Sequence, residues 1–136
     1  MDDIFQKIIT REIPAEIVYE DEDVIAFLDI KPVNKGHVLV VPKQKFRNIF
    51  DGPADALEKM MAAAQKVAIA VKETTGADGV NIVMNNERAA GQEVFHAHIH
   101  IIPRFTNDGA FPTPPHTAYD EGEMSTLCEK IKTAIQ

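Results

Sequence analysis

Apolar residues recur with two different periods along the chain, and these periods predict its helices and strands. Spacing of three or four positions predicts a short helix from Ile4 that Pro14 ends, a long helix from Asp51 to Gly76, and a terminal helix over residues 124–135. Strand-like runs occupy residues 16–20, 23–30, 37–42 and 79–86, followed by a last run within 91–104. The pattern predicts one α+β domain over residues 1–136, in which an antiparallel sheet of four or five strands carries helices on one face.

The helical pattern also predicts which side chains are buried. Met60 and Met61 both belong to the apolar series of the long helix and are expected in the core. Cys128 lies in the terminal helical pattern, where a small buried apolar residue is the favoured interpretation. Residues 105–120 contain three prolines and no periodicity, so they are expected to form a loop.

Composition excludes several classes of function. The 136 residues carry 14 basic and 21 acidic side chains, which gives a net charge of −7 and a pI near 5.1. This balance argues against a nucleic-acid-binding surface or an anionic-membrane surface. The first ten residues do not resemble a secretion signal, and no apolar run approaches the roughly 20 residues that span a bilayer. We therefore expect a cytoplasmic protein, with which the single cysteine is compatible.

Three histidines, His96, His98 and His100, fall on alternate positions of residues 91–104. On a strand these imidazoles would share one face, and neighbouring ones would be about 6.6 Å apart along the strand. The opposite face then carries the apolar residues Ala97, Ile99 and Ile101. His37 likewise interrupts an apolar stripe, so it is a fourth candidate for a site. A buried imidazole needs a polar partner, which makes a functional cluster more plausible than three independent core histidines.

Two kinds of chemistry fit such a cluster. Histidines at positions i and i+2 can chelate a metal through neutral imidazole nitrogens. Alternatively, one imidazole is a nucleophile while its neighbours orient it, supply protons or bind the substrate's charge. The histidine pattern alone leaves both open.

The segment HAHIHII, residues 96–102, resembles the His-φ-His-φ-His-φ-φ signature of the histidine triad (HIT) family of nucleotide hydrolases and transferases, in which φ is an apolar residue. The resemblance is to the HINT-like and Fhit-like branches of the family. It also includes residues 4–32, GHVLVVPK at residues 36–43, and GQEVFHAHIHIIPR at residues 91–104, which together cover most of residues 4–104. It implies a HIT fold, with a five-stranded antiparallel sheet, a long central helix and short terminal helices. It also implies a homodimer whose protomers join their sheets, a purine nucleotide substrate, and catalysis without a metal or other cofactor.

The resemblance assigns roles to individual residues. His98 would be the nucleophile that attacks the α-phosphorus, His100 would contact the scissile phosphate and the leaving group, and His96 and His37 would support the site. The nucleotide would be bound by Phe5, Ile8, Ile13, Phe27, Asp29, Ile30, Asn85, Gln92, Glu93 and Val94. Among these, Asp29 would accept hydrogen bonds from the ribose hydroxyls.

The chain departs from the family pattern at three places. Glu93 stands where many relatives have serine or threonine, and IIPR follows the triad where one branch has a glycine pair. Asp3, Gln6 and Lys45 occupy positions where some relatives hold a structural zinc, so we expect no metal there. We predict a hydrolase of nucleoside 5′-phosphoramidates of the AMP-amine type. The alternatives are a dinucleoside polyphosphate hydrolase, a nucleotide-binding regulatory protein with low turnover, or a metal-binding protein.

Overall fold

The computed structural model describes residues 3–135, and its centre is a five-stranded antiparallel sheet. The strands are β1 (Ile17–Glu20), β2 (Val24–Leu28), β3 (Val38–Pro42), β4 (Gly79–Val83) and β5 (Ile99–Arg104). Their order in the sheet is β1-β2-β3-β5-β4, and every neighbouring pair is antiparallel. The predicted α+β class and five-stranded sheet are confirmed.

The sheet is covered on both faces. Val24, Ala26, Val38 and Val40 pack under the long helix α2 (Ala54–Thr75). The alternate residues Ile25, Phe27, Leu39 and Val41 pack under the short helix α1 (Ile4–Ile9). The prediction that the helices share one face is wrong, because β2 and β3 are continuously apolar and both of their faces need cover.

Helix α2 connects β3 to β4, and β5 later inserts between these two strands. It ends as predicted at Gly76, whose left-handed backbone (φ 71°) suits glycine. Met60 is fully buried in the core, but Met61 is 53% exposed. The prediction that both methionines are buried is therefore wrong for Met61, since consecutive helical residues point about 100° apart.

Helix α1 ends earlier than predicted. The N–H of Thr10 closes the last turn on the carbonyl of Gln6, and Arg11 follows with a left-handed φ of 68°. Pro14 therefore lies outside the helix and does not end it. Helix α1 buries Phe5 and Ile8 against the sheet, and Asp3 caps its N-terminus by accepting a hydrogen bond from the N–H of Gln6 at 2.8 Å.

The chain after β5 has two parts. Residues 105–122 form neither helix nor strand, as predicted, and α3 (Glu123–Ala134) follows. Cys128 on α3 is exposed, so the prediction of a buried cysteine is wrong, because α3 buries no side chain in its own protomer. Among residues 3–135, no helix is both long enough and apolar enough to cross a bilayer.

The two adjacent methionines test the packing of α2. Met60→Ala should lower the free energy of unfolding by about 2–5 kcal/mol, because it leaves a cavity in the core. Met61→Ala should change it by less than about 0.5 kcal/mol, because that side chain is already exposed to water. Chemical denaturation of both variants measures the difference, and equal losses would contradict the described register of α2.

Candidate active site

The three histidines of the motif lie partly on strand β5 and partly on the segment that precedes it. Only His100 lies within β5, where it pairs with Leu39 of β3 and Val83 of β4. His96 and His98 precede the strand, so the prediction that one strand carries all three is wrong. The reason is that this segment bonds to the loop after β3: the N–H of Ala97 donates to the carbonyl of Phe46 at 2.8 Å. The apolar residues between the histidines, Ala97, Ile99 and Ile101, are buried under α2, as predicted.

A cavity of about 460 Å³ opens on the α1 face of the sheet, a size that suits a small-molecule ligand. Eleven of the predicted site residues line it: Phe5, Ile8, Ile13, Phe27, Asp29, Ile30, Asn85, Glu93, Val94, His98 and His100. The sequence analysis did not single out the other lining residues, which are Ile4, Pro14, Ala15, Leu28, Lys31, Leu39 and Gly91. Most of these are apolar or flank a predicted residue, so only their position in the fold distinguishes them from ordinary core.

Three predicted site residues do not line the cavity: His37, His96 and Gln92. Gln92 is 1% exposed, and its side chain is held by four hydrogen bonds. Its carbonyl accepts from the side chain of Asn48 and the N–H of Glu87, while its amide donates to the carbonyls of Arg47 and Val94. Gln92 therefore positions the loop that carries Glu93 and Val94, and its side chain does not face the cavity.

Hydrogen bonds fix the proton positions on His37 and His100. The N–H of Val33 donates to Nδ1 of His37 at 3.1 Å, so this nitrogen is unprotonated. Nε2 of His37 then carries the proton and donates to Nδ1 of His100 at 3.0 Å. In neutral His100 the proton consequently lies on Nε2, the nitrogen left available for a ligand.

Burial keeps these imidazoles neutral. It lowers the pKa of His37, partly offset by the charge of Asp29. Burial, assisted by the neighbouring His98 and His37, lowers the pKa of His100 to about 4. Both rings are therefore uncharged at pH 7, which is the form that the hydrogen bonds between them require.

His98 is held in the opposite tautomer. Its Nδ1 donates to the carbonyl of His96 at 2.7 Å, which leaves Nε2 with a free lone pair. Burial lowers the pKa of His98, so the ring stays neutral. Its centroid lies 5.0 Å from those of His100 and Phe5. A neutral imidazole with a bare nitrogen beside a second imidazole that carries a proton can act as a nucleophile next to a proton donor.

His96 is completely buried, and both of its ring nitrogens face acceptors. Nε2 lies 2.8 Å from the carbonyl oxygen of Pro42, and Nδ1 lies 3.2 Å from Oδ2 of Asp3. Lys45 lies 3.2 Å from the same carboxylate oxygen. Burial acts to raise the pKa of Asp3, but hydrogen bonds from Gln6 and Lys45 and the charge of His96 together hold it below its ordinary value.

Asp3, Lys45 and His96 form an ion cluster that joins three elements. Asp3 begins α1, Lys45 follows β3, and His96 begins the histidine segment. The sequence analysis noted positions 3 and 45 as places where some relatives carry zinc ligands, but it did not predict that their side chains meet at His96. The cluster fixes α1, and with it Phe5, against the site.

The geometry does not support chelation by His96, His98 and His100. His96 uses both nitrogens in hydrogen bonds, and His98 uses Nδ1 in another. Asp29, His37 and His100 offer ligand atoms within 4.8 Å of one another. However, Nε2 of His37 and Nδ1 of His100 are 3.0 Å apart, whereas two ligands of a tetrahedral zinc ion are separated by about 3.3 Å. Their spacing suits the hydrogen bond already described.

Comparison with known proteins identifies the family of the chain. Residues 10–107 match the model of the HIT domain. The chain belongs to the HIT family. It is 55% identical over 106 residues to an uncharacterized HIT-like protein of Methanocaldococcus jannaschii, covering 78% of this chain and 81% of that one. It is 44% identical over 132 residues to protein hit of Bacillus subtilis, covering 97% and 90%.

Solved structures share the HIT fold over almost the whole chain. The crystal structure of a Streptococcus mutans protein matches with a TM-score of 0.94 and 43% identity, covering 99% of this chain and 86% of that one. The likeness extends well beyond the HIT domain match and includes the region of α3.

The contact between Asp3 and His96 can be tested with Asp3→Asn. Nitrogen-15 NMR should show changed ring signals for His96 in the variant, because the carboxylate beside Nδ1 is replaced by an amide. The free energy of unfolding should fall by about 1.5–3 kcal/mol, the range for a hydrogen bond to a charged group.

Asp21→Asn is the matched control, since Asp21 also accepts backbone N–H groups, those of Asp23 and Val24, but lies far from the histidines in the β1–β2 turn. It should leave the His96 signals unchanged. Ring signals of His96 that are the same in Asp3→Asn and in the wild type would contradict the contact.

Proposed function

We propose that this HIT protein hydrolyses purine nucleoside 5′-phosphoramidates at the α-phosphorus through a nucleotidyl-His98 intermediate. The observation that carries the proposal is the pairing of opposite tautomers: His98 has a bare Nε2 beside His100, whose Nε2 carries a proton. HIT proteins are generally nucleotide hydrolases or transferases, so this site fits the chemistry of the family.

The first step forms a bond between Nε2 of His98 and the α-phosphorus, while the bond from phosphorus to the leaving nitrogen breaks. The departing amine takes up a proton from solvent as the bond breaks, so that it does not leave as an anion, while the Nε2–H of neutral His100 donates a hydrogen bond to a phosphate oxygen. In the second step water attacks the phosphorus and releases its proton to solvent, and the bond to His98 breaks to release AMP. Covalent catalysis thus divides one displacement into two easier ones.

The cavity offers separate places for the parts of the nucleotide. Phe5, Ile8 and Phe27 supply an apolar wall for the base next to the histidines. Asp29 accepts the N–H of Lys31 through Oδ1 and retains Oδ2 for the ribose hydroxyls. Asn85 and the N–H of Val94 bind the ribose and the phosphate. Gln92 acts indirectly by holding the Val94 loop.

Glu93 favours an amine leaving group over a phosphate. It is exposed at the cavity, where its carboxylate attracts a cationic amine and repels the negative charge of a polyphosphate. An Arabidopsis thaliana protein named as an adenylylsulfatase is 38% identical over 107 residues, covering 79% of this chain and 54% of that one. The name supports chemistry at an adenylyl group. Dinucleoside polyphosphate hydrolysis and nucleotide-dependent regulation with low turnover are the alternatives.

Self-association through the sheet is the second part of the proposal. Strand β4 lies at the edge of the sheet, and its Ile82 is 45% exposed. Together with Met61 and Ile69 of α2, Ile82 lines one exposed surface. An edge strand with exposed apolar neighbours is suited to pair with a second copy, which would join the two sheets.

His98→Ala should abolish turnover and leave AMP binding within tenfold, because it removes the nucleophile while the base and ribose contacts remain. We expect a loss of about 10⁴-fold or more in the hydrolysis of adenosine 5′-phosphoramidate. Intact-protein mass spectrometry after rapid mixing should detect one added AMP in the wild type and none in the variant.

His116→Ala is the control, because His116 lies in the exposed loop after β5. It should retain both the adduct and turnover. An AMP adduct on His98→Ala would remove the nucleophile assignment, and absence of AMP release from the wild type would remove the phosphoramidase proposal.

Asp29→Asn tests the ribose contact. The asparagine carbonyl can still accept the N–H of Lys31, so the local turn is retained, but the charged acceptor is lost. Titration calorimetry should show AMP binding about tenfold more weakly, the loss expected for a charged hydrogen bond of about 1.4 kcal/mol. Binding of 2′,3′-dideoxy-AMP should change by less than twofold, and an equal effect on both nucleotides would refute the contact.

A further inference from the structure

The last 25 described residues, 111–135, make no buried contact with the rest of the protomer, and every one of them is exposed. We call this segment the C-terminal arm. Within it, α3 is a helix of 12 residues, a length that is marginal in water without a packing partner. A helix that is formed but unsupported by its own protomer indicates a partner outside that protomer.

Helix α3 has one apolar face. At 100° per residue its large apolar side chains fall within about 100° of the helix circumference. They are Met124, Leu127, Ile131 and the flanking Ile135, which are 40–72% exposed, with Cys128 on the same face. Thr126 and Thr133 lie on the opposite face. We call the apolar side the α3 stripe.

A second uncovered apolar surface lies on the sheet face opposite the histidines. It is a groove of about 420 Å³ between α2 and strands β1 to β3, lined mainly by Val18, Leu28, Val38, Val67, Ala70 and Val71. Val18 is 52% exposed and Leu28 38% exposed. Lys66 also lines the groove. The α3 stripe and this groove are both apolar, and neither is covered within the protomer.

Solved relatives indicate that the arm has a fixed position. The Streptococcus mutans structure covers 99% of this chain at a TM-score of 0.94, and a Bacillus subtilis HIT protein covers 98% at 0.90, so both superpositions include the arm. Identity is only 43% and 38%. An arm held by nothing would not keep one position across such divergence. A second copy of the same chain is available to each of these proteins without any further component, so it is the simplest partner for the arm.

We infer that the C-terminal arm crosses to a second copy and lays the α3 stripe in that copy's groove between α2 and β1–β3. The 18 residues that separate β5 from α3 span up to about 55 Å when extended, enough to reach a neighbouring protomer. By symmetry each copy donates one arm and accepts one. The exchange does not depend on the proposed hydrolase activity, and it places a contact away from the sheet edge.

The native cysteine provides a direct test. Two differently tagged chains are co-expressed and purified as mixed oligomers: the wild type, with Cys128 in the α3 stripe, and Cys128→Ser/Ala70→Cys, with a thiol in the groove. Mild oxidation should give a disulfide between the two chains, because each thiol lies on one of the two surfaces in contact. In the control, the wild type is replaced by Cys128→Ser/Thr133→Cys, whose thiol lies on the outer face of α3, and the yield should fall at least fivefold.

Each other outcome overturns the inference. If the single chain Ala70→Cys forms its disulfide with Cys128 internally and mixed chains do not cross-link, the arm occupies its own groove. If neither disulfide forms, the groove is not the binding surface of α3.

A second measurement addresses the energetic contribution of the α3 stripe. Leu127→Asp/Ile131→Asp should raise the dimer dissociation constant at least tenfold in analytical ultracentrifugation, while Thr133→Asp, on the opposite face of α3, should change it less than twofold. The protomer core should be intact in both variants, because α3 buries no side chain in it. An unchanged dissociation constant in the double variant would also overturn the inference.

Discussion

The hydrogen bond from Nδ1 of His98 to the carbonyl of His96 decides what this site can do. It places the proton on Nδ1 and leaves Nε2 bare, which a nucleophile requires. The bond depends on the position of the His96 backbone, and that position depends on the ring, whose nitrogens contact the carbonyl of Pro42 and the carboxylate of Asp3. A reactive nitrogen in the cavity is thus controlled by polar contacts buried behind it.

One face of the sheet forms the main apolar core, and the other face carries the candidate site. Residues that alternate with the histidines pack under α2 and supply apolar burial, so the backbone of the site is held by the main core. The same alternation places His98 and His100 under α1, where burial favours their neutral forms. A neutral imidazole keeps a lone pair on one ring nitrogen, which an imidazolium lacks, so burial on this face preserves the basic nitrogen of His98.

Much of this architecture could be predicted because it rests on local pattern. The strands follow from the apolar runs, and the end of α2 follows from Gly76. The alternation of His98 and His100 with Ile99 and Ile101 follows from the two-residue period of an extended chain. The placement of α1 on the opposite face could not be predicted, since the continuous apolar runs of β2 and β3 do not say which element covers each side. The contact between Asp3 and His96, 93 positions apart, arises only from tertiary packing.

The inward-facing side chain of Gln92 shows a similar limit of prediction from sequence. Its position near the triad resembles that of a ligand contact, but four buried partners decide where its side chain lies. The same holds for Met61 and Cys128, whose exposure depends on which helix faces have a partner. The sequence pattern predicts whether a side chain is suited to the core or to solvent. The tertiary contacts available at its position decide whether it is buried and what it binds.

Charge provides the last constraint on the substrate. Within the described residues that line the cavity, Lys31 is the one cationic side chain, and it is accompanied by the carboxylates of Asp29 and Glu93. A nucleotide with several phosphates would bring more negative charge than this environment can balance. A nucleotide with one phosphate and an amine substituent brings a single negative charge for the N–H donors and a polar group for Glu93. The electrostatics of the cavity therefore support the proposed phosphoramidate substrate over a polyphosphate.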